Sequence, residues 1–351
     1  MSQVFDRETL PFAAEVLQAW LGERVAGMDG PLEITRFKGG QSNPTYLLQT
    51  PTHRYVLRAK PGPVAELLPS AHAIEREYRV QAALVGSDVP VARMHCLCED
   101  ESVIGRAFYV MDHVDGRILW DQTLPASDKA ERGAIYDELN RVISALHRID
   151  PAAIGLADYG KHGDYFARQI KRWTRQYDAS RTVTIEAMDR LIEWLPAHSP
   201  ADDGAVALVH GDYRIDNVIF HPTESRILAV IDWELSTLGH PLADFAYHMM
   251  SWHIPSGTLR GLADSDLGAL GIPDEASYIA RYEQRSGRTV SGDWNFYLAY
   301  NLFRLAAICQ GIAKRVEAGT ASSAQAALYG RQATPLAELG WRFAQKSGAG
   351  A

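Results

Sequence analysis

Three short apolar runs between residues 206 and 231 set the pattern from which the rest of the chain is read. Val206–Val209, Val218–Phe220 and Ile227–Ile231 are each bounded by polar or turn-forming residues. That framing suits short buried strands better than helical turns. His221-Pro-Thr-Glu-Ser225 carries the turn chemistry between the second and third runs. Pairing of those two runs as a hairpin puts Asn217 and Asp232 at its open end, while Asp212 ends the strand before them.

Upstream, the periods are mixed. Leu10–Leu21, with Phe12, Val16, Ala19 and Trp20 at helical spacing, predicts an amphipathic helix. Strands are expected at Leu32–Phe37, Thr45–Gln49 and Tyr55–Arg58, then a helix at Ser70–Ala83. An extended segment begins at Val89-Pro90-Val91, and Ala107–Met111 has strand character. After Gly116 helical periods take over. Ile135, Leu139, Val142, Ile143 and Leu146 make Ala130–His147 an amphipathic helix. Further helices are expected at Tyr165–Tyr177, Met188–Leu195 and Asp293–Val316. Arg168, Lys171, Arg172 and Arg175 give the Tyr165 helix a cationic face, read as solvated or, alternatively, as a contact for an anionic substrate. A tail from Lys346, rich in Gly, Ala and Ser, is expected to be disordered.

Composition narrows the class. At 351 residues two lobes or domains are expected, and 46% hydrophobic content is enough for sizeable cores. The net charge is −8 and no dense basic run occurs, so nucleic acid is not an expected partner. Cys96, Cys98 and Cys309 supply neither a disulfide framework nor a zinc signature. No basic segment followed by an apolar core opens the chain, and no 18-residue apolar run occurs. The expectation is a cytoplasmic protein with reduced thiols and no membrane span.

The residues gathered by the hairpin suit phosphoryl transfer from a metal-bound nucleotide. Asp212 can orient an acceptor hydroxyl and take its proton. Asn217 and Asp232 offer the hard oxygen ligands that hold Mg²⁺ against phosphates. Lys38-Gly39-Gly40-Gln41-Ser42-Asn43-Pro44 lies between two expected strands. Gly39 and Gly40 allow close backbone approach, and Ser42 with exposed N–H groups can cradle phosphate oxygens. Arg58 and Lys60, two apart on a strand, share a face, and Glu75 and Glu77 lie on the following helix. Other chemistries fail on residue type. Gly155-x4-Gly160-Lys161 has His162 where a P-loop needs Ser or Thr, and no apolar strand precedes it. Neither Gly-x-Ser-x-Gly nor His-Glu-x-x-His occurs.

His210-Gly211-Asp212-x4-Asn217 followed by Asp232 resembles the catalytic loop and metal-binding Asp of the protein-kinase-like superfamily, in the aminoglycoside phosphotransferase and choline kinase branch. The resemblance runs from about Leu32 to Tyr300 and implies an α+β, two-lobe fold. Its small antiparallel-sheet N-lobe would cover 1–111, its hinge 112–116, and its larger, mainly helical C-lobe 117–345. It implies ATP and Mg²⁺ as cofactors, with Arg58 as the counterpart of the family's phosphate-binding Lys and Glu77 as its helix partner. Because Arg stands where the family has Lys, either Arg58 or Lys60 could contact phosphate. Met111, His113 and Val114 would offer hinge backbone to adenine. His210 and Asp244, the latter in a Gly-x-Pro-x-x-Asp segment, are read as structural supports. Asp-Trp233-Glu234 lacks the Gly that follows in protein kinases, and no Ala-Pro-Glu segment comes after it, which favours a small-molecule kinase. Gly-Gly-Gln-Ser-Asn-Pro-Thr and Asp-Trp-Glu-Leu-Ser-Thr-Leu-Gly-His-Pro are most similar to the kinase-like domains associated with acyl-CoA dehydrogenases. That branch implies a hydroxylated small-molecule acceptor such as a hydroxyacyl-CoA rather than an antibiotic. The alternative from another class is a pseudokinase acting as a nucleotide-binding scaffold.

Overall fold

The structure, a computed structural model, describes residues 5–6, 10–28, 30–37, 43–61, 73–259, 261–290, 294–320 and 325–347. The chain divides into two compact units. The first takes Met1–Ile118, Ile154–Leu156 and Asp216–Ser236; the second takes Leu119–Ala153, Ala157–Ile215 and Thr237–Ala351.

The first unit is built on an antiparallel sheet. Its strands are β1 (Phe5–Asp6), β2 (Glu33–Phe37), β3 (Thr45–Gln49), β4 (Arg54–Ala59), β5 (Met94–Cys98) and β6 (Phe108–Asp112), in the order β1-β2-β3-β4-β6-β5. Strand alternation sorts its side chains onto two faces. Tyr46, Leu48, Tyr55, Leu57, Phe108 and Val110 pack with Leu17 and Leu21 of α1 (Ala14–Gly22). The opposite face carries Tyr109, which packs with Ile74 of α2 (Ile74–Leu84). α1 starts later than its apolar period predicts, because Leu10 precedes Pro11 and is pushed out of helical backbone. Val16, expected on the buried face, is 47% exposed. The extended segment that begins at Val89–Val91 becomes a strand at Met94, and the Pro90 carbonyl accepts a hydrogen bond from Val230 N–H at 2.8 Å. Cys96 and Cys98 sit in β5, and burial pushes the Cys96 thiol up to about 11, away from thiolate chemistry.

The second unit carries α3 (Lys129–Arg148), α4 (Tyr165–Ser180) and α5 (Glu186–Ala197), then β7 (Ala207–Val209). The chain returns to the first unit as the hairpin β8 (Val218–Phe220) and β9 (Ile227–Val230). This hairpin joins the first unit through a bridge between Arg117 and Phe220. Gly116 permits the approach, since a Cβ there would lie 2.3 Å from the Phe220 carbonyl oxygen. Back in the second unit, β10 (Thr237–Gly239) pairs antiparallel with β7, a pairing that the apolar runs do not predict. Then come α6 (Pro241–Met249), α7 (Ser256–Leu259), α8 (Leu267–Leu270), α9 (Glu275–Ser286), α10 (Trp294–Glu317), α11 (Ala326–Gly330) and α12 (Ala333–Ser347). α10 packs against α4, α6 and α12. The tail expected from Lys346 is helical through Ser347, and 348–351 lie outside the described residues. No described helix is long and apolar enough to cross a membrane.

Buried histidines make this unit sensitive to acid. His248 is 4% exposed and shares a 2.8 Å hydrogen bond with Tyr278 Oη; burial pushes its pKa down to about 4. Burial lowers His147 and His240 as well. A histidine depressed on folding adds stability above its unfolded pKa of about 6.5, and that stability is lost as pH falls toward the folded value. Thermal melts should therefore show the protein losing about 2 kcal/mol from His248 alone between pH 7 and pH 5. His248→Gln should flatten that slope whatever it does to absolute stability.

Candidate active site

Arg58 organises the polar cluster of the first unit. β4 places it on the α2 face, opposite Tyr109 of β6 in the ladder register. Its side chain is 14% exposed and meets three carboxylates. Nε lies 2.9 Å from Glu77 Oε2, a close charge contact rather than an aligned hydrogen bond. Nη2 donates to Asp232 Oδ1 at 3.0 Å and lies 3.6 Å from Glu234 Oε2. Burial pulls the guanidinium toward neutrality, but Glu77, Tyr109, Asp232 and Glu234 outweigh it and hold its pKa above the ordinary value. Glu77 is buried too, and burial raises its carboxyl pKa against the pull of Arg58 and of hydrogen bonds from Tyr109 and Asn43. Tyr109 Oη donates at 3.0 Å and Asn43 Nδ2 at 2.8 Å. Lys60, the alternative cation, pairs with Glu75 in a more exposed setting.

Asn217 and Asp232 meet at the open end of the β8–β9 hairpin. Ile231 N–H donates to the Asn217 carbonyl at 2.9 Å, and Asp232 follows directly. Asp232 has left-handed backbone, φ +67°, a conformation that Asp tolerates better than most residues and that ends the strand before it. Its Oδ1 faces Arg58, while Oδ2 has no hydrogen-bond partner among the described residues. Magnesium is usually held by one or two carboxylates together with phosphate oxygens and water. One carboxamide and one carboxylate at a single hairpin end fit that requirement.

Gly39, Gly40 and Ser42 lie outside the described residues. Of the expected hinge, Met111 is inside β6, opposite Val56 and Met94. The His113 N–H is already committed to the Arg54 carbonyl at 3.2 Å. The Val114 peptide makes no hydrogen bond with the described residues.

The second unit presents Asp212 on the turn after β7. Asp244, in the first turn of α6, receives His210 N–H on Oδ2 and Gly211 N–H on Oδ1, both at 2.8 Å. Gly211 has φ +82°, where a side chain would be strained. His147 Nε2 approaches Asp244 at 3.2 Å and its Nδ1 lies 2.8 Å from Tyr282 Oη. A carboxylate only accepts, so Nε2 carries the proton and Nδ1 accepts from the tyrosine. Burial alone would raise the Asp244 pKa; the hydrogen bond from His147, with the contributions of His147 and His210, brings it below the ordinary value. His210 is fully buried, and its Nδ1 accepts Asp212 N–H at 3.2 Å.

Tyr247 Oη donates to Asp212 Oδ1 at 2.6 Å, and Arg214 Nε lies 3.6 Å from the same oxygen. Arg304 of α10 donates to the Gly211 carbonyl at 2.5 Å and lies over the rings of Tyr247 and Trp173. Reading the sequence missed Tyr247, Arg304, Tyr109 and Asn43 as participants. Two left a signal: Tyr247 sits one turn after Asp244, and Arg304 is the charged residue on the buried, mainly apolar face of α10.

The sequence pattern of the phosphotransferase enzyme family (APH) matches residues 33–295. Acyl-CoA dehydrogenase family member 10 of Mus musculus is 46% identical over 345 residues, covering 97% of this chain and 32% of that protein. The chain thus spans about a third of that relative, and 44% of acyl-CoA dehydrogenase family member 11 of Homo sapiens. A crystal structure from Ralstonia eutropha JMP134, named only provisionally as an aminoglycoside phosphotransferase, is 62% identical with a TM-score of 0.88, covering 95% of this chain and 99% of that one. Choline kinase from Cryptosporidium parvum Iowa II superposes with a TM-score of 0.63 over 96% of each chain at 11% identity, which speaks to the fold alone. The α+β architecture, with a small antiparallel sheet lobe and a larger helical lobe, is therefore the protein-kinase-like fold.

Removing Arg58 strands a buried carboxylate, whereas Lys60 pairs near water. Arg58→Met should cost about 3–5 kcal/mol in denaturant unfolding. Lys60→Met should cost less than about 1 kcal/mol. Equal costs would contradict the assignment of the buried pair to Arg58.

Proposed function

Because the chain belongs to the phosphotransferase enzyme family, we propose that it moves the γ-phosphoryl group of ATP to a hydroxyl of a small molecule, with Mg²⁺. Asn217 and Asp232 would hold the metal, which neutralises charge on the β- and γ-phosphates when bound. Arg58, kept charged and oriented by Glu77, would reach the phosphates, with Gly39, Gly40 and Ser42 covering them. The Val114 peptide, with Met111 and His113 beside it, would receive adenine. Asp212 would orient the acceptor hydroxyl and take its proton, a contribution of about 10²–10⁴-fold. One relative by fold, a thermostable APH(4)-Ia mutant, was crystallised with AMP-PNP and hygromycin B, which supports ATP as donor. The single observation that carries the reading is the Asp212 carboxylate, fixed on a fully braced turn five residues before Asn217.

We take an acceptor bearing a negative group as the better match to the arginines near Asp212. Arg214 and Arg304 both act on it, and Arg172 of α4 lies close enough to Arg304 that burial, then repulsion, lower its pKa. Cationic aminoglycosides and choline suit such surroundings poorly. A hydroxylated acyl compound, free or as its CoA thioester, suits them well, in keeping with the curated relatives' names. This activity would belong to the region these relatives share with the chain.

Turnover of Mg·ATP should appear with hydroxylated acids or hydroxyacyl-CoAs and stay at background with aminoglycosides and choline. Asp212→Asn should lower turnover by about 10²–10⁴-fold while calorimetry shows unchanged Mg·ATP binding. Undiminished turnover in that variant would refute the base assignment. Nucleotide binding without turnover on any acceptor would leave a scaffold instead.

A further inference from the structure

The reading of Asp212 as proton acceptor leaves open what aims its carboxylate. We infer that Tyr247 is a positioning residue for Asp212, and that α6 sets the geometry of the whole turn; this rests on the function proposed above. Asp244 and Tyr247 are one helical turn apart, so both project from the same side of α6. The first binds the turn by accepting the peptide N–H groups of His210 and Gly211, at 2.8 Å each. The second binds it by donating to Asp212 Oδ1 at 2.6 Å. An acceptor and a donor on one rigid element thus fix backbone and side chain together.

The hydroxyl is suited to this task. Tyr247 is 5% exposed, and burial, then the Asp212 charge, raise its pKa, so it remains a proton donor across the working pH range. Its ring is pinned from the other side by the Arg304 guanidinium, 4.8 Å from the ring centroid, and that same guanidinium donates to the Gly211 carbonyl. A carboxylate free to rotate would spend much of its time with neither oxygen in line, and small misplacements of a reacting group are costly. Groups that face Asp212 include Tyr247 from α6, Arg304 from α10 and Arg214 from its own loop.

Tyr247→Phe tests this, because it deletes one oxygen and keeps the ring under Arg304. Expected are a fall in kcat of about 10- to 100-fold, an unchanged Kd for Mg·ATP, and an unchanged melting temperature to within a few degrees. Loss of a donor to the carboxylate should also move the acidic limb of the kcat/KM–pH profile to higher pH. If Tyr247→Phe prevents folding, replacing Tyr247 by 3-fluorotyrosine retains the ring and strengthens the donor, and should move the limb to lower pH. A Tyr247→Phe enzyme with wild-type kcat and pH profile, in a protein where Asp212→Asn is inactive, would overturn the positioning role and leave the proposed function standing. Full activity of Asp212→Asn would overturn that function instead.

Discussion

A guanidinium taken out of water has to be answered by carboxylates, and in the first unit Arg58 is answered by three. Glu77 comes from α2, while Asp232 and Glu234 come from just beyond β9, so one side chain ties a sheet strand to a helix and to the returning hairpin. Pairs this buried add little net stability, because desolvation cancels most of the Coulomb gain. Their value is specificity: misplacing any of these three segments would leave a charge unpaired in a poor dielectric. The same arrangement couples the guanidinium of β4 to the residue that ends the hairpin, since Arg58 holds one oxygen of Asp232.

The second unit solves a different problem with hydrogen bonds. The turn at His210–Asp212 follows a three-residue strand and ends in a residue that must be rigid yet reachable. Asp244 accepts two of its N–H groups, His210 accepts a third, Arg304 donates to the Gly211 carbonyl, and Tyr247 holds the terminal carboxylate. Behind Asp244, His147 and Tyr282 continue the chain of bonds into the core. These bonds hold the backbone of the turn and its terminal carboxylate together, and hydrogen bonds that satisfy buried groups rigidify the network they form. The dependence on neutral histidines is the counterpart of that design, since His147 donates from one nitrogen and accepts at the other.

Parts of this were legible in the residues. Apolar runs bounded by turn formers marked β7, β8 and β9, and the polar turn between the last two placed Asn217 and Asp232 at one end of a hairpin. Strand-forming residues marked β3 and β4 closely, and the 3.6 period marked α3 and α10 to within a residue or so. Less legible were β5, whose Met-His-Cys-Leu-Cys sequence carries no clean alternation, and β10, a three-residue strand defined only by its pairing with β7. α9 and α12 have ordinary helical periods, but no chemical motif drew attention to them.

What the sequence determined by itself was the list of reactive groups, their spacing, and the strands and helices that carry them, because side-chain chemistry and backbone periodicity are local. Only the tertiary structure decided that Arg58 rather than Lys60 is the buried cation, that His113 spends its N–H on Arg54, and that Tyr247 and Arg304 belong to the turn of Asp212. Those outcomes depend on burial and on partners 35 to 174 residues apart along the chain, and neither quantity exists until the chain has packed.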